Sequence, residues 1–105
     1  MKAKYLRIGN LISKKDVVVT VDGRSIFDIW SLDYGDIYKP IPLTEEWLLK
    51  FGFKQNKEYK YWEFGKFIID QNFTLCDIDI KVTIKYVHQL QNLFFALTEK
   101  ELEIK

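Results

Sequence analysis

LCDIDIKVTIK at residues 75–85, running directly into YVHQLQNLFFAL at residues 86–97, is the stretch that decides the fold class. Over Leu75 to Lys85 the apolar residues alternate at period two, which predicts a strand with Ile78, Ile80, Val82 and Ile84 on one face. From Tyr86 the period changes to that of a helix. At ~100° per residue Tyr86, Val87, Leu90, Leu93, Phe94 and Leu97 share a stripe of ~120°, wide enough to cover a sheet. A strand that hands over to an amphipathic helix predicts an α+β fold: a mainly antiparallel sheet of about five to seven strands with two short helices.

Working back toward the N-terminus, the other helix is signalled around residues 44–52. Thr44 is a good N-cap, Glu45 and Glu46 lie at the positive end of the helix dipole, and Leu43 can staple onto Leu48. Gly52 suits the left-handed position after the last turn, with Phe53 supplying the apolar contact that accompanies such a stop. Pro40 and Pro42 cannot donate to a ladder and so break the sheet just before this helix. Residues 4–8 and 16–21 read as strands, and Asp22-Gly23 reads as a two-residue hairpin turn into a strand over 24–30. Two further strands are expected over 57–64 and 66–70, and Glu101 to Lys105 alternates as a last edge strand.

At 105 residues the chain is expected to be a single domain over 1–105, with no repeat or linker inside it. Hydrophobic residues make up 48% of it and aromatics 16%, enough to build a core, so a disordered chain is excluded. The net charge is +1, which excludes a strongly acidic mimic of nucleic acid and any whole-molecule pull toward an anionic surface. Locally the charge alternates: +4 over residues 1–24, −3 over 25–50, +2 over 51–66 and −2 over 67–105. Cys76 is the only cysteine, so no internal disulfide forms, which fits a reducing cytoplasm. No uninterrupted apolar stretch resembles a secretion signal or a membrane span, so a cytoplasmic protein with no membrane partner is expected.

Three groups of residues are candidates for chemistry. His88, Gln91, Asn92 and Phe95 fall opposite the apolar stripe of the last helix, and an outward phenylalanine among amides is suited to contact a partner. The bland reading is that a further layer covers this face. Lys57, Lys60, Tyr61, Trp62 and Lys66 interleave cations with flat rings, the mixture that holds single-stranded nucleic acid. An alternating strand buries about half of such rings, leaving Tyr59 with Tyr61, or Trp62 with Phe64, as the outward pair. Asp70, Asp77 and Asp79 are oxygen ligands in type, yet alternating Asp and Ile is also what a half-exposed strand looks like. His88 has no serine, cysteine or second histidine placed to make a triad, and the five glycines are too dispersed for a phosphate loop. The sequence therefore points to no catalytic residue, no metal and no cofactor.

Arg7-Ile8-Gly9-Asn10, PIPLTEEWLLKFGF over residues 40–53 and YVHQLQNLFFALTEKELEI over 86–104 together resemble a family of short proteins from phages and mobile elements of the Bacteroidetes lineage. The resemblance carries no catalytic residues. What it implies is a phage-associated inhibitor of host defence that binds a larger protein or ribonucleoprotein, including an RNA-guided CRISPR nuclease with its guide RNA. An RNA-targeting type VI-B nuclease is one such target. The leading expectation is thus a non-enzymatic binding protein that uses His88, Gln91, Asn92 and Phe95. The alternative is a small RNA- or single-stranded-DNA-binding module.

Overall fold

A computed structural model describes residues 5–31, 37–65, 67–76 and 81–105. The fold is α+β, as the change of period predicts. Its elements in chain order are β1 (Leu11–Lys14), β2 (Val17–Thr20), α1 (Gly23–Ser31), β3 (Tyr38–Lys39), α2 (Glu45–Lys50), β4 (Lys54–Asn56), β5 (Tyr61–Phe64), β6 (Phe67–Ile69), β7 (Thr74–Cys76), β8 (Lys81–Thr83) and α3 (Val87–Thr98). They make two antiparallel sheets, one in the order β2-β1-β3 and one in the order β4-β5-β6-β7-β8.

The best-signalled helix forms as its sequence dictates. Thr44 Oγ1 accepts from the Trp47 N–H, and Leu43 and Leu48 are both buried. Past α2, Gly52 adopts φ +91° and donates to the Leu49 carbonyl, while Phe53 donates to the Leu48 carbonyl at 3.0 Å. That pair of bonds is the Schellman stop, available at low cost because glycine has no Cβ to clash at positive φ.

α2, α3 and the five-stranded sheet enclose the main core. Trp47 and Leu48 from α2 and Phe51 at its C-cap meet Trp62, Phe67, Ile69 and Leu75 from the sheet and Val87, Leu90 and Phe94 from α3. The Phe94 ring packs edge-on against Phe64 at 5.6 Å and Phe67 at 5.4 Å. A smaller core of Leu6, Ile12, Val21 and Tyr38 holds the three-stranded sheet. α3 lies between the two, with its apolar stripe on the first and its amide face toward the N-terminal segment.

Several expectations are corrected. Asp22-Gly23 is a helix start, not a hairpin turn: Asp22 Oδ1 accepts from the Ser25 N–H at 2.8 Å and the Ser25 hydroxyl at 3.0 Å, which caps α1. The hairpin turn lies earlier, at Lys15 (φ 49°) and Asp16 (φ 67°), where Lys14 pairs with Val17. Residues 5–10 form turns in place of a strand, with the Asn10 side chain accepting from the Arg7 N–H at 2.6 Å. Of the strand expected over 57–64, residues 57–60 are the turn that joins β4 to β5 and only 61–64 form strand, and within Leu75 to Lys85 two strands pair antiparallel, with Leu75 opposite Val82. Period two survives such a fold because both arms of a hairpin alternate. Ile78 and Ile80 lie outside the described residues. The segment 101–105 is no ladder strand; Leu102 is buried and the Lys105 N–H donates to the Lys50 carbonyl at 2.7 Å.

Candidate binding surfaces around helix α3 and the β4–β5 hairpin

α3 places His88, Gln91, Asn92 and Phe95 together, but its amide face is covered. Gln91 is only 3% exposed; its Oε1 accepts from the Leu11 N–H at 2.8 Å and its Nε2 donates to the Gly9 carbonyl at 3.3 Å. Asn92 Oδ1 accepts from Arg7 Nη1 at 3.2 Å and Asn10 Nδ2 at 2.8 Å, and its Nδ2 donates to the Tyr5 carbonyl at 3.1 Å. The Arg7 guanidinium lies 4.0 Å from the centre of the Phe95 ring and also pairs with Glu101. Phe95 stays 37% exposed beneath it. The expectation that Gln91 and His88 face solvent is therefore overturned.

The physical reason lies in the turns of residues 5–10, whose backbone groups lack a ladder to satisfy them. A carboxamide carries both donor and acceptor, so Gln91 and Asn92 complete that backbone as a strand would. The signal in the sequence was the pair of adjacent amides on one helix together with a distant Asn10.

His88 is 6% exposed, stacks on Tyr86 at 5.8 Å, and its Nδ1 is buried without a hydrogen-bond partner. Desolvation by burial holds its pKa below the ordinary value of 6.5, so the neutral imidazole is favoured.

Beside His88 a groove of about 700 Å³ opens between the start of α3, β8 and Tyr5. Its apolar walls are Tyr5, Pro40, Val82, Ile84, Tyr86 and Leu93, and Asn92 also lines it. Two more polar side chains in the lining bond within the chain, whereas the His88 Nδ1 does not: Thr83 shares a hydroxyl contact with Thr74 at 3.1 Å, and Gln89 Oε1 accepts from the N–H groups of Lys85 and Tyr86 at 3.0 and 3.1 Å. Two of the four residues expected to bind a partner, His88 and Asn92, thus line one groove, while Gln91 and Phe95 do not.

The basic-aromatic group divides differently. Trp62 is 3% exposed and part of the main core, so it is corrected from stacking surface to packing. Lys57 and Lys60 are exposed on the turn between β4 and β5, with Tyr61 half-buried at the start of β5. Tyr59 joins them: it is 69% exposed and its ring lies 6.3 Å from that of Tyr61, with 14° between the planes. Lys66 lies outside the described residues, as do Asp77 and Asp79. Asp70 Oδ1 accepts from the N–H groups of Asn72 and Thr74, a turn-forming role. Among the described residues no group of three His, Cys, Asp or Glu is placed to hold a metal, and no helix is long and apolar enough to cross a membrane.

No protein-family model, curated protein or solved structure matches this chain.

Proposed function

We propose that this chain is a non-enzymatic binding protein that holds a larger protein or ribonucleoprotein, seating an apolar side chain of its partner in the groove beside α3. One observation supports the reading: the Thr83 hydroxyl, the Gln89 amide oxygen and the Asn92 amide are already bonded internally, so apart from the unpartnered His88 Nδ1 the groove offers a partner mainly apolar wall. Burying such wall contributes roughly 25 cal/mol per Å², and pockets of this size are where anchoring side chains concentrate binding energy. The near-balanced charge of +1 favours a protein surface as target over electrostatic mimicry of nucleic acid. The resemblance noted above adds an expected target, an RNA-guided CRISPR nuclease such as the type VI-B enzyme.

The test begins with the tagged protein and a host lysate, with and without ribonuclease, followed by rebinding of each captured protein in purified form. Val82→Glu introduces a charge into the groove from an exposed position of β8. Loss of rebinding at an unchanged melting temperature is the expected result, and undiminished rebinding refutes the groove. A purified type VI-B nuclease with its guide should lose target-RNA cleavage in the protein's presence; full cleavage removes that enzyme as the target.

A further inference from the structure

The turn between β4 and β5 is built around one side chain. Asn56 Oδ1 accepts from the N–H groups of Glu58 at 3.0 Å and Tyr59 at 3.2 Å, its Nδ2 donates to the Tyr61 hydroxyl at 3.1 Å, and its carbonyl accepts from the Lys60 N–H at 2.8 Å. Lys60 takes φ 55°, which separates Tyr59 and Tyr61 by one left-handed residue and lets their rings lie nearly parallel. Asn56 thus locks both the loop and the lower ring.

A tyrosine as exposed as Tyr59 contributes little to the core. Its ring backs onto Tyr61 while the rest of its surface is open, and Lys57 and Lys60 on the same turn and Lys54 on β4 are all exposed. Among the described residues none of these three lysines forms an ion pair; Arg7 with Glu101 is the pair found. Against them stand Glu58 on the turn and Glu63 opposite Lys54. Residues 54–63 thus carry three cations and two anions, a net +1, with Lys57 and Lys60 flanking Tyr59 on the turn.

We infer that this hairpin tip is a binding site for single-stranded nucleic acid, with one base stacked on Tyr59 and the flanking phosphates held by Lys57 and Lys60. The chemistry matches on three counts. A stacked base needs a flat face and no particular edge, so the site accepts any base. Phosphates need cations that are not already spent on carboxylates. A ring already held against a second ring loses little rotational freedom on binding, which a free surface tyrosine would have to give up. The site lies on a different element from the groove beside α3 and stands or falls separately from it. A protein partner would gain from the same aromatic surface but would not respond to salt in the manner that phosphate neutralisation requires.

The experiment measures binding of fluorescein-labelled ten-nucleotide oligo-U and oligo-dT to the full chain by anisotropy between about 20 and 200 mM salt. With two or three lysines neutralising phosphate, log K should fall against log salt with a slope of about −1.4 to −2.1. Tyr59→Ala should weaken binding about tenfold, since one stacked base is lost, with melting unchanged because the ring is exposed. Lys57→Gln and Lys60→Gln should each reduce the slope by about 0.7. Equal binding of oligo-U and oligo-dT identifies a site blind to the ribose hydroxyl, whereas a preference for oligo-U identifies RNA; both support the inference. Absence of binding at 20 mM salt, a salt-independent affinity, or full affinity in Tyr59→Ala overturns it.

Discussion

Replacing Gln91 by methionine asks whether the amide face of α3 is a surface or an internal joint. Methionine has nearly the volume and flexibility of glutamine, so it opens no cavity and isolates the hydrogen bonds. In the wild type those bonds run to the Leu11 N–H at 2.8 Å and to the Gly9 carbonyl at 3.3 Å. Losing both leaves a donor and an acceptor unpaired. Each fully buried orphan costs about 1–3 kcal/mol, and because Leu11 and Gly9 are half-buried some of that is recovered from water. A net loss of about 2 kcal/mol follows, a fall in melting temperature of roughly 8–16 °C for a domain of this size. Urea denaturation followed by circular dichroism gives the stability, and amide exchange at Leu11 gives the local effect. If Gln91→Met changes stability by less than ~0.5 kcal/mol and Leu11 exchanges as before, the joint does not exist and the face is free to bind a partner.

Four further outcomes are expected. Gly52→Ala should cost about 1–2 kcal/mol in thermal melts: its φ of +91° is strained for any L side chain, whereas the Lys105 Cγ 2.8 Å from the new Cβ belongs to a flexible chain that can move. Trp62→Ala should cost about 3–5 kcal/mol, and a variant that stays stable yet loses oligonucleotide binding would return Trp62 to the nucleic-acid surface. Stability should be whole above pH ~6.5 and decline as the pH falls from there through the folded-state pKa of His88, because the unfolded chain takes up that proton first. His88 is the only histidine, so a urea series between pH 5 and 7 that shows no slope refutes its desolvation. Asp22 acts in a lower window, since its hydrogen bonds to Ser25 hold its pKa below 3.8 and the stability they contribute is lost only as pH falls through that range.

The parts of this protein written in its sequence are the local ones. Thr44, the two glutamates after it, and Gly52 define α2 because capping and helix stops depend on residues within one turn of each other. The change of period at Tyr86 located α3 within a residue, since amphipathicity repeats over its length. Asp22-Gly23 shows where local reading fails: the same dipeptide serves a hairpin turn and a helix start, and only the packing of Ile26 against the smaller core distinguishes them. Period two over 75–85 could not separate one strand from two, because folding it back on itself preserves the alternation. The candidate sites were least legible, for the same reason in each case. Gln91 and Asn92 look exposed on a wheel drawn for one buried face; the N-terminal turns, more than 70 residues away in sequence, supply a second covering layer that no periodicity encodes. The outward pair on the hairpin was open between Tyr59 with Tyr61 and Trp62 with Phe64 until the register of β5 against β6 placed Trp62 opposite Ile69, on the core side. Sequence alone determined which segments become helices and strands wherever the cause is local. Which faces remain for a partner was decided by tertiary structure, because exposure depends on what the rest of the chain covers.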